Sequence, residues 1–226
     1  MSLKSIKQIL MAKGVHYLYH ANTVATSCTF IKNGGLFSRE AIEKRNLYQT
    51  YQKSDQTDKI FDIYNDIFFD SIDIHESIRR INFYGPVLFV YTIDILDTIP
   101  DNFIKITKSN PIYWDYNTKE KDKYFNTNEE LEALFQKGNF QQHITLKNQH
   151  TPLPFDHLEK IILDNPGEKH KHLFEKALSV LQQTIKKHIP HKTFEVRICS
   201  PFCKCQTIYN ASFPNSINNK FKIDRS

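Results

Sequence analysis

A histidine and an arginine lie at two points of this sequence where a ligand could be bound. The alternating, β-forming stretch 15–19 predicts a strand, and His20 falls at its end, just before a predicted helix over Val24–Lys32. A helix N-terminus offers free backbone N–H groups and a positive dipole, which suit an anionic or hydroxyl-rich ligand. Arg39 follows Ser38, the predicted N-cap of a second helix, and its guanidinium could bind phosphate. Purely structural roles, in a strand end and on a solvated helix, remain the alternatives.

One stretch in the middle of the chain predicts a helix, a glycine stop and a strand in close succession. Thr127 and Glu130 form a capping box before an apolar stripe, and Gly138 follows as the C-terminal stop. A short loop ending in Gln142 then leads to a predicted strand over 143–146. A side chain there lies on a rigid edge beside a mobile loop, which suits a catalytic group. Glutamine is uncharged, however, and an ordinary loop-to-strand junction is the simpler interpretation of the residues alone.

Four short motifs follow one another over roughly the range 15–164. They are YHAN at 19–22, GGL at 34–36, the junction at Gln142, and LP at 153–154 followed by IILD at 161–164. In this order they resemble the prokaryotic ADP-ribosyltransferase toxins of the DarT and CmdT families. The resemblance implies NAD as co-substrate, a contact between His20 and NAD, and a catalytic Glu at the start of a late strand. That Glu would fall at Gln142, where this chain departs from the pattern.

The resemblance also assigns roles to residues around the implied NAD cleft. Asn22 would hold the nicotinamide amide or the loop itself, Arg39 the diphosphate, and Tyr84 would stack on nicotinamide or belong to the core. A carboxylate would offset positive charge in an oxocarbenium-like transition state and accept the acceptor's proton. Glutamine can do neither, so Gln142 is interpreted as an inactivating Glu-to-Gln substitution or as the mark of a natural pseudoenzyme. Glu195, in another late strand, is the alternative catalytic carboxylate.

The acceptor that the resemblance implies is a base of single-stranded nucleic acid, with RNA favoured over DNA. The setting would be a toxin–antitoxin or anti-phage defence system with an antitoxin protein as partner. Two alternatives remain open: a transferase that modifies protein, and a non-catalytic module that binds nucleic acid or an antitoxin, in which Gln142 is natural.

Potential metal ligands do not form a strong signature in the sequence. Cys199, Cys203 and Cys205 have the spacing C-x3-C-x-C, without a second pair of ligands at comparable spacing. The acidic stretch 70–75 is better explained by residues that flank buried strands. We therefore expect reduced structural thiols and no metal site.

Composition predicts an ordinary globular protein. The 226 residues are 40% hydrophobic and 24% charged, which is sufficient for one core. Thirty Lys and Arg against 25 Asp and Glu give a net charge of +5, which permits a nucleic-acid partner without requiring one. No run of about 18 apolar residues occurs, and the first residues lack the order of a signal peptide, so the expected location is cytoplasmic.

The predicted fold class is α+β, in an ADP-ribosyltransferase-like arrangement. We expect one domain over 1–226, with a split, mostly antiparallel sheet around an NAD cleft and peripheral helices. The apolar run 86–91 predicts a central strand, and 171–188 predicts a long amphipathic helix. The Asn-rich segment 213–226 predicts a loose tail.

Overall fold

A computed structural model of the protein describes residues 5–223. Its strands are β1 (Tyr17–Asn22), β2 (Gly35–Leu36), β3 (Ile67–Phe69), β4 (Val87–Thr92), β5 (Ile104–Ile106), β6 (Ile144–Leu146), β7 (Leu153–Pro154), β8 (Leu158–Leu163) and β9 (Thr193–Val196). Its α-helices are α1 (Ile6–Ala12), α2 (Val24–Lys32), α3 (Arg39–Lys44), α4 (Asp55–Ile60), α5 (Ile74–Ile78), α6 (Glu120–Lys123), α7 (Asn128–Leu134), α8 (Lys171–His188), α9 (Cys205–Ala211) and α10 (Pro214–Phe221). Short 3₁₀ helices occupy Ile93–Thr98, Asp101–Phe103, Pro111–Tyr113 and Glu168–His170.

The larger sheet has four strands in the order β1-β4-β8-β9. β1 and β8 both pair antiparallel with β4, the apolar run that predicted a central strand, and His20 lies opposite Phe89. β9 joins the edge of β8 in parallel. A parallel pair requires a long crossover, and α8 supplies it.

The smaller sheet has three antiparallel strands in the order β3-β6-β5. It meets the larger sheet at one isolated antiparallel bridge between Tyr19 and Asp70. β2 and β7 form a separate two-stranded pair. The predicted α+β class and the split, mostly antiparallel sheet are therefore confirmed.

The helices α2 and α8 cover one face of the larger sheet. Eight of the nine residues of α2 are buried, as expected for a helix between other layers. α8 is amphipathic, with Ala177, Leu181 and Ile185 buried on a single face that packs against α2. Both helices have the bounds that the sequence predicted.

The C-terminal segment of the chain departs from its prediction. The tail expected to be loose from residue 213 on forms α10, whose first residue Pro214 has the backbone angle a helix start needs. Ile217 and Phe221 are each 1% exposed and bind this helix to α2 and α8. The prediction was wrong because two well-placed apolar side chains outweigh the polar composition between them. Residues 224–226 lie outside the described part. Residues 1–4 also lie outside it, and the first described helix, α1, begins at Ile6 after its N-cap Ser5.

No helix within residues 5–223 has both the length and the apolar character needed to cross a membrane.

Candidate active site

His20 is held at the junction of the two sheets. It lies inside β1, two residues before the strand's end, rather than at the end as predicted. Its Nδ1 is 2.9 Å from the carbonyl oxygen of Phe68, so Nδ1 carries the proton and donates it. Burial lowers the pKa of the imidazole, which is therefore neutral near pH 7. The other nitrogen, Nε2, is buried without a partner and presents a lone pair.

Arg39 is fixed near His20 by Asp55, the first residue of α4, and by the segment before it. Ser38 caps α3 by accepting the backbone N–H of Ala41 at 3.2 Å, which places Arg39 in the first turn. Its Nε and Nη2 donate to the two carboxylate oxygens of Asp55 at 2.9 and 2.6 Å, and Nη2 also donates to the carbonyl of Thr50. Its Nη1 is buried without a partner. The guanidinium is near enough to contribute to lowering the pKa of His20.

Asp70 and His143 form a carboxylate–imidazole pair at the same junction. The Asp70 backbone exchanges hydrogen bonds of 3.0 and 2.9 Å with Tyr19, next to His20. Its Oδ1 is 3.1 Å from Nδ1 of His143, one residue before β6. The negative charge of Asp70 acts to raise the pKa of His20, against the larger effect of burial. From the sequence, Asp70 is predicted only as an acid that flanks a strand, because its partner is decided by the β3–β6 register.

Tyr84 and Asp58 complete the polar surroundings of this junction. The Tyr84 ring is 42% exposed, but its hydroxyl lies among protein atoms, and burial together with Asp70 raises its pKa to about 12. Burial also raises the pKa of Asp58 to about 6, against a hydrogen bond from Ser54 that lowers it. Lys220 of α10 donates to the carbonyl of Phe83 at 2.6 Å and so fixes the loop that carries Tyr84.

Asn22 is buried and shapes the backbone rather than facing open space. Its Oδ1 accepts the backbone N–H of Thr23 at 2.9 Å, at the start of α2. The loop after Tyr84 passes so close that a Cβ at Gly85 would overlap the Asn22 carbonyl group. Of the two roles expected for Asn22, these contacts favour the one in which it holds the loop.

Gln142 is engaged in a structural role at the end of α7. Its Oε1 accepts the backbone N–H of Gln136 at 2.7 Å, and its Nε2 donates to the carbonyl of Leu134 at 3.3 Å. These contacts need one acceptor and one donor, which an amide supplies and a carboxylate does not. The geometry gives no support to Gln142 as the position of a lost catalytic Glu.

Glu195 lies away from the junction. It belongs to β9, the edge strand separated from β1 by β4 and β8. Three strand spacings place it about 14 Å from β1. Its side chain is 44% exposed and pairs with Lys160 at 3.0 Å. The structure thus brings His20, Arg39 and Tyr84 into one region and leaves Glu195 outside it.

A groove of about 810 Å³ combines positive charge with exposed aromatic rings. Its lining includes Arg79, Arg80, Lys204, Phe140 and Phe202. We call it the basic–aromatic groove. The Arg79 guanidinium lies 5.8 Å from the centre of the Phe202 ring, which is 74% exposed. Phe140, three residues before His143, is the lining residue nearest in sequence to His143 of the junction. The sequence does not predict this groove, since its residues come from three distant segments.

Comparisons with known proteins give matches among solved structures only. No protein-family model matches the sequence, and no curated protein does. DarT of Thermus sp. 2.9 in complex with NAD⁺ is 12% identical, with a TM-score of 0.47 over 81% of this chain and 96% of that chain. The complex of the same DarT with ADP-ribosylated ssDNA is 11% identical, with a TM-score of 0.45 over 81% and 95%. The complex of this DarT with carba-NAD⁺ is 12% identical, with a TM-score of 0.47 over 81% of this chain and 96% of that chain. The fold class of this chain accordingly rests on its own strands and helices.

Proposed function

We propose that this protein is an NAD-dependent ADP-ribosyltransferase. The observation that carries the proposal is the pair of buried, unpartnered nitrogens, Nε2 of His20 and Nη1 of Arg39, at the junction of the two sheets. Buried polar atoms in proteins almost always have a hydrogen-bond partner, so two of them, in residues close enough to interact electrostatically, indicate a place for a ligand.

The two nitrogens differ in what they can bind. Neutral His20, with its proton on Nδ1, offers a lone pair on Nε2 that can accept a ribose hydroxyl. Arg39 offers an N–H donor and a positive charge that suit a diphosphate oxygen. A dinucleotide such as NAD contains both groups, so the residues fit this co-substrate.

Asp70 is the carboxylate best placed to assist the transfer. Cleavage of the nicotinamide–ribose bond expels nicotinamide and leaves positive charge on the ribose, as in glycoside cleavage. A nearby carboxylate stabilises this charge and takes the proton that the acceptor loses on forming the new bond. Asp70 lies next to His20 in the bridge to β1, and His143 can share or relay that proton through their contact. In this proposal Asp70 replaces Gln142 and Glu195 as the catalytic carboxylate.

The proposed acceptor is a base of single-stranded nucleic acid, with RNA favoured over DNA. The basic–aromatic groove supports this choice, because arginines bind phosphates and exposed rings stack on bases of an unpaired strand. A base within a duplex would have to be extruded first.

The first test is NAD binding by titration calorimetry. We expect the protein to bind NAD, and His20→Ala to lose at least about tenfold in affinity, since one buried hydrogen bond is removed. His172→Ala, an exposed histidine on α8, is the matched control and should bind like the parent. Absence of NAD binding by a folded parent chain would refute the proposal.

The second test is transfer from labelled NAD to single-stranded RNA, single-stranded DNA and cell protein. Asp70→Asn should lower the transfer rate about 10²–10³-fold, as the loss of one preorganised electrostatic group does. Glu195→Ala should leave it unchanged. Label in protein alone would support the alternative acceptor, and a gain of activity in Gln142→Glu would return the catalytic role to position 142.

A non-catalytic nucleic-acid-binding module is the second candidate, favoured by the groove alone. It predicts affinity for single strands that falls steeply with salt, together with no affinity for NAD.

A further inference from the structure

Three cysteines and a histidine converge at a point where α5 meets the start of α9 and the segment that leads into it. The side chains are His75, Cys199, Cys203 and Cys205, and their ligand atoms all lie within 4.8 Å of one another. Nε2 of His75 is 3.3 Å from Sγ of Cys203 and 3.5 Å from Sγ of Cys199. Sγ of Cys199 is 3.4 Å from Sγ of Cys205.

These separations are close to those of a tetrahedral zinc site. Zn–S bonds of about 2.3 Å and Zn–N bonds of about 2.0–2.1 Å place neighbouring ligand atoms about 3.5–3.8 Å apart. The observed distances of 3.3 to 3.5 Å need only a small expansion to admit an ion. Three thiolates and one imidazole are also a donor set that zinc prefers.

The second nitrogen of His75 is anchored in the manner of a metal-binding histidine. Nδ1 lies 2.6 Å from Oδ2 of Asp164, so the proton resides on Nδ1 and the lone pair of Nε2 points at the sulfurs. Arg197 donates to Asp164 at 2.6 Å, and the hydroxyl of Tyr209 donates to it at 3.3 Å. This network orients the ring before any ion binds, and nothing in the proposed transferase chemistry uses it.

We propose that His75, Cys199, Cys203 and Cys205 bind one structural zinc ion. The four side chains complete the tetrahedron, so the site has no open position for substrate and does not act in catalysis. Binding converts the three thiols to thiolates and releases their protons to solvent. Zinc at this place would depart from the sequence-based expectation of no metal site, because the fourth ligand, His75, lies 124 residues before Cys199 and no local spacing reveals it.

The ion would join two segments that line the basic–aromatic groove. Phe202 and Lys204 lie between the cysteine ligands, and Arg79 directly follows α5, which carries His75. Zinc binding would therefore fix these two segments of the groove lining relative to each other.

The test is metal analysis of the full chain. Protein produced with added zinc, purified without chelator and dialysed, should contain about one zinc ion per chain, as measured by inductively coupled plasma mass spectrometry. Cys203→Ser and His75→Ala should lose the ion, whereas Cys28→Ala, which alters a cysteine inside α2, should retain it. Replacement of zinc by Co²⁺ should give the visible absorption bands of a tetrahedral thiolate site.

The cobalt measurement uses the unaltered chain, so it decides the question even where a ligand variant is insoluble. Reduced wild-type protein that holds neither zinc nor cobalt would overturn the proposal, as would iron in place of zinc. A disulfide among the three cysteines in freshly purified, unreduced protein, found by peptide mass mapping, would overturn it as well. Each outcome is independent of NAD binding.

Discussion

Replacement of Arg197 by methionine should strongly destabilise the protein. Arg197 follows β9 and pairs with two carboxylates, through Nη1 to Asp73 at 2.8 Å and through Nε to Asp164 at 2.6 Å. All three side chains are at most 8% exposed. Methionine keeps the length of the side chain but leaves two buried carboxylates without their cation.

The size of the expected loss of stability follows from the burial of this ion-pair cluster. Removal of one partner of a buried ion pair costs about 3–5 kcal/mol in the free energy of unfolding. Asp164 keeps its contacts with His75 and Tyr209, and Asp73 keeps the backbone N–H of Glu76, so the lower part of that range applies. For a chain of this size the corresponding decrease in Tm is about 6–15 °C.

The matched control is Lys160→Met. Lys160 pairs with Glu195 at 3.0 Å on the exposed face of the same pair of strands. Exposed pairs contribute about 0–1 kcal/mol because water and salt screen them. Urea unfolding followed by circular dichroism, with zinc present throughout, measures both variants. Equal losses below 1 kcal/mol in the two variants would refute the assignment of Arg197 as the cation that neutralises this buried cluster.

Three further predictions concern the junction of the sheets. As pH rises from 4 to 7.5, the free energy of unfolding of Asp58→Asn, measured with urea, should increase by about 2–3 kcal/mol relative to that of the parent protein. The reason is that burial holds the pKa of Asp58 near 6, so its stabilising neutral form is lost as pH rises through that value. Gly85→Ala should prevent soluble folding, since its Cβ would overlap the backbone of Asn22. Gly34→Ala, in open space at φ +81°, should lower the free energy of unfolding by only about 1 kcal/mol, as measured by thermal unfolding. Gln142→Glu should lower the free energy of unfolding by about 1–3 kcal/mol, because a carboxylate oxygen would face the carbonyl at the end of α7; unchanged stability would count against the structural role.

Elements determined by local periodicity could be predicted from the sequence. The helices Val24–Lys32 and Lys171–His188 have their predicted bounds, because apolar spacing and flanking turns specify each of them within a few residues. The strand Val87–Thr92 was predicted from its apolar run for the same reason. His20 was also placed on the correct strand.

Features that depend on distant parts of the chain could not be predicted. Asp70 meets His143 only through the register of β3 against β6, and His75 meets the cysteines across more than 120 residues. No local pattern encodes either contact. The two partners of Gln142 lie at the end of α7, six and eight residues before it, and no pattern in its immediate neighbours predicts them.

The strand order has a consequence for how the protein is made. Leu18 of β1 pairs with Tyr91 of β4, and β4 pairs in turn with β8, so each new pairing waits for roughly 70 more residues. At about 5–20 residues per second, the strand that carries His20 remains without its neighbour for several seconds during translation. Its apolar side chains are exposed to chaperones throughout that interval. The junction that brings His20 and Asp70 together therefore gains its supporting strand only after β4 is made, and a nascent chain that stops before β4 exposes β1 without that support.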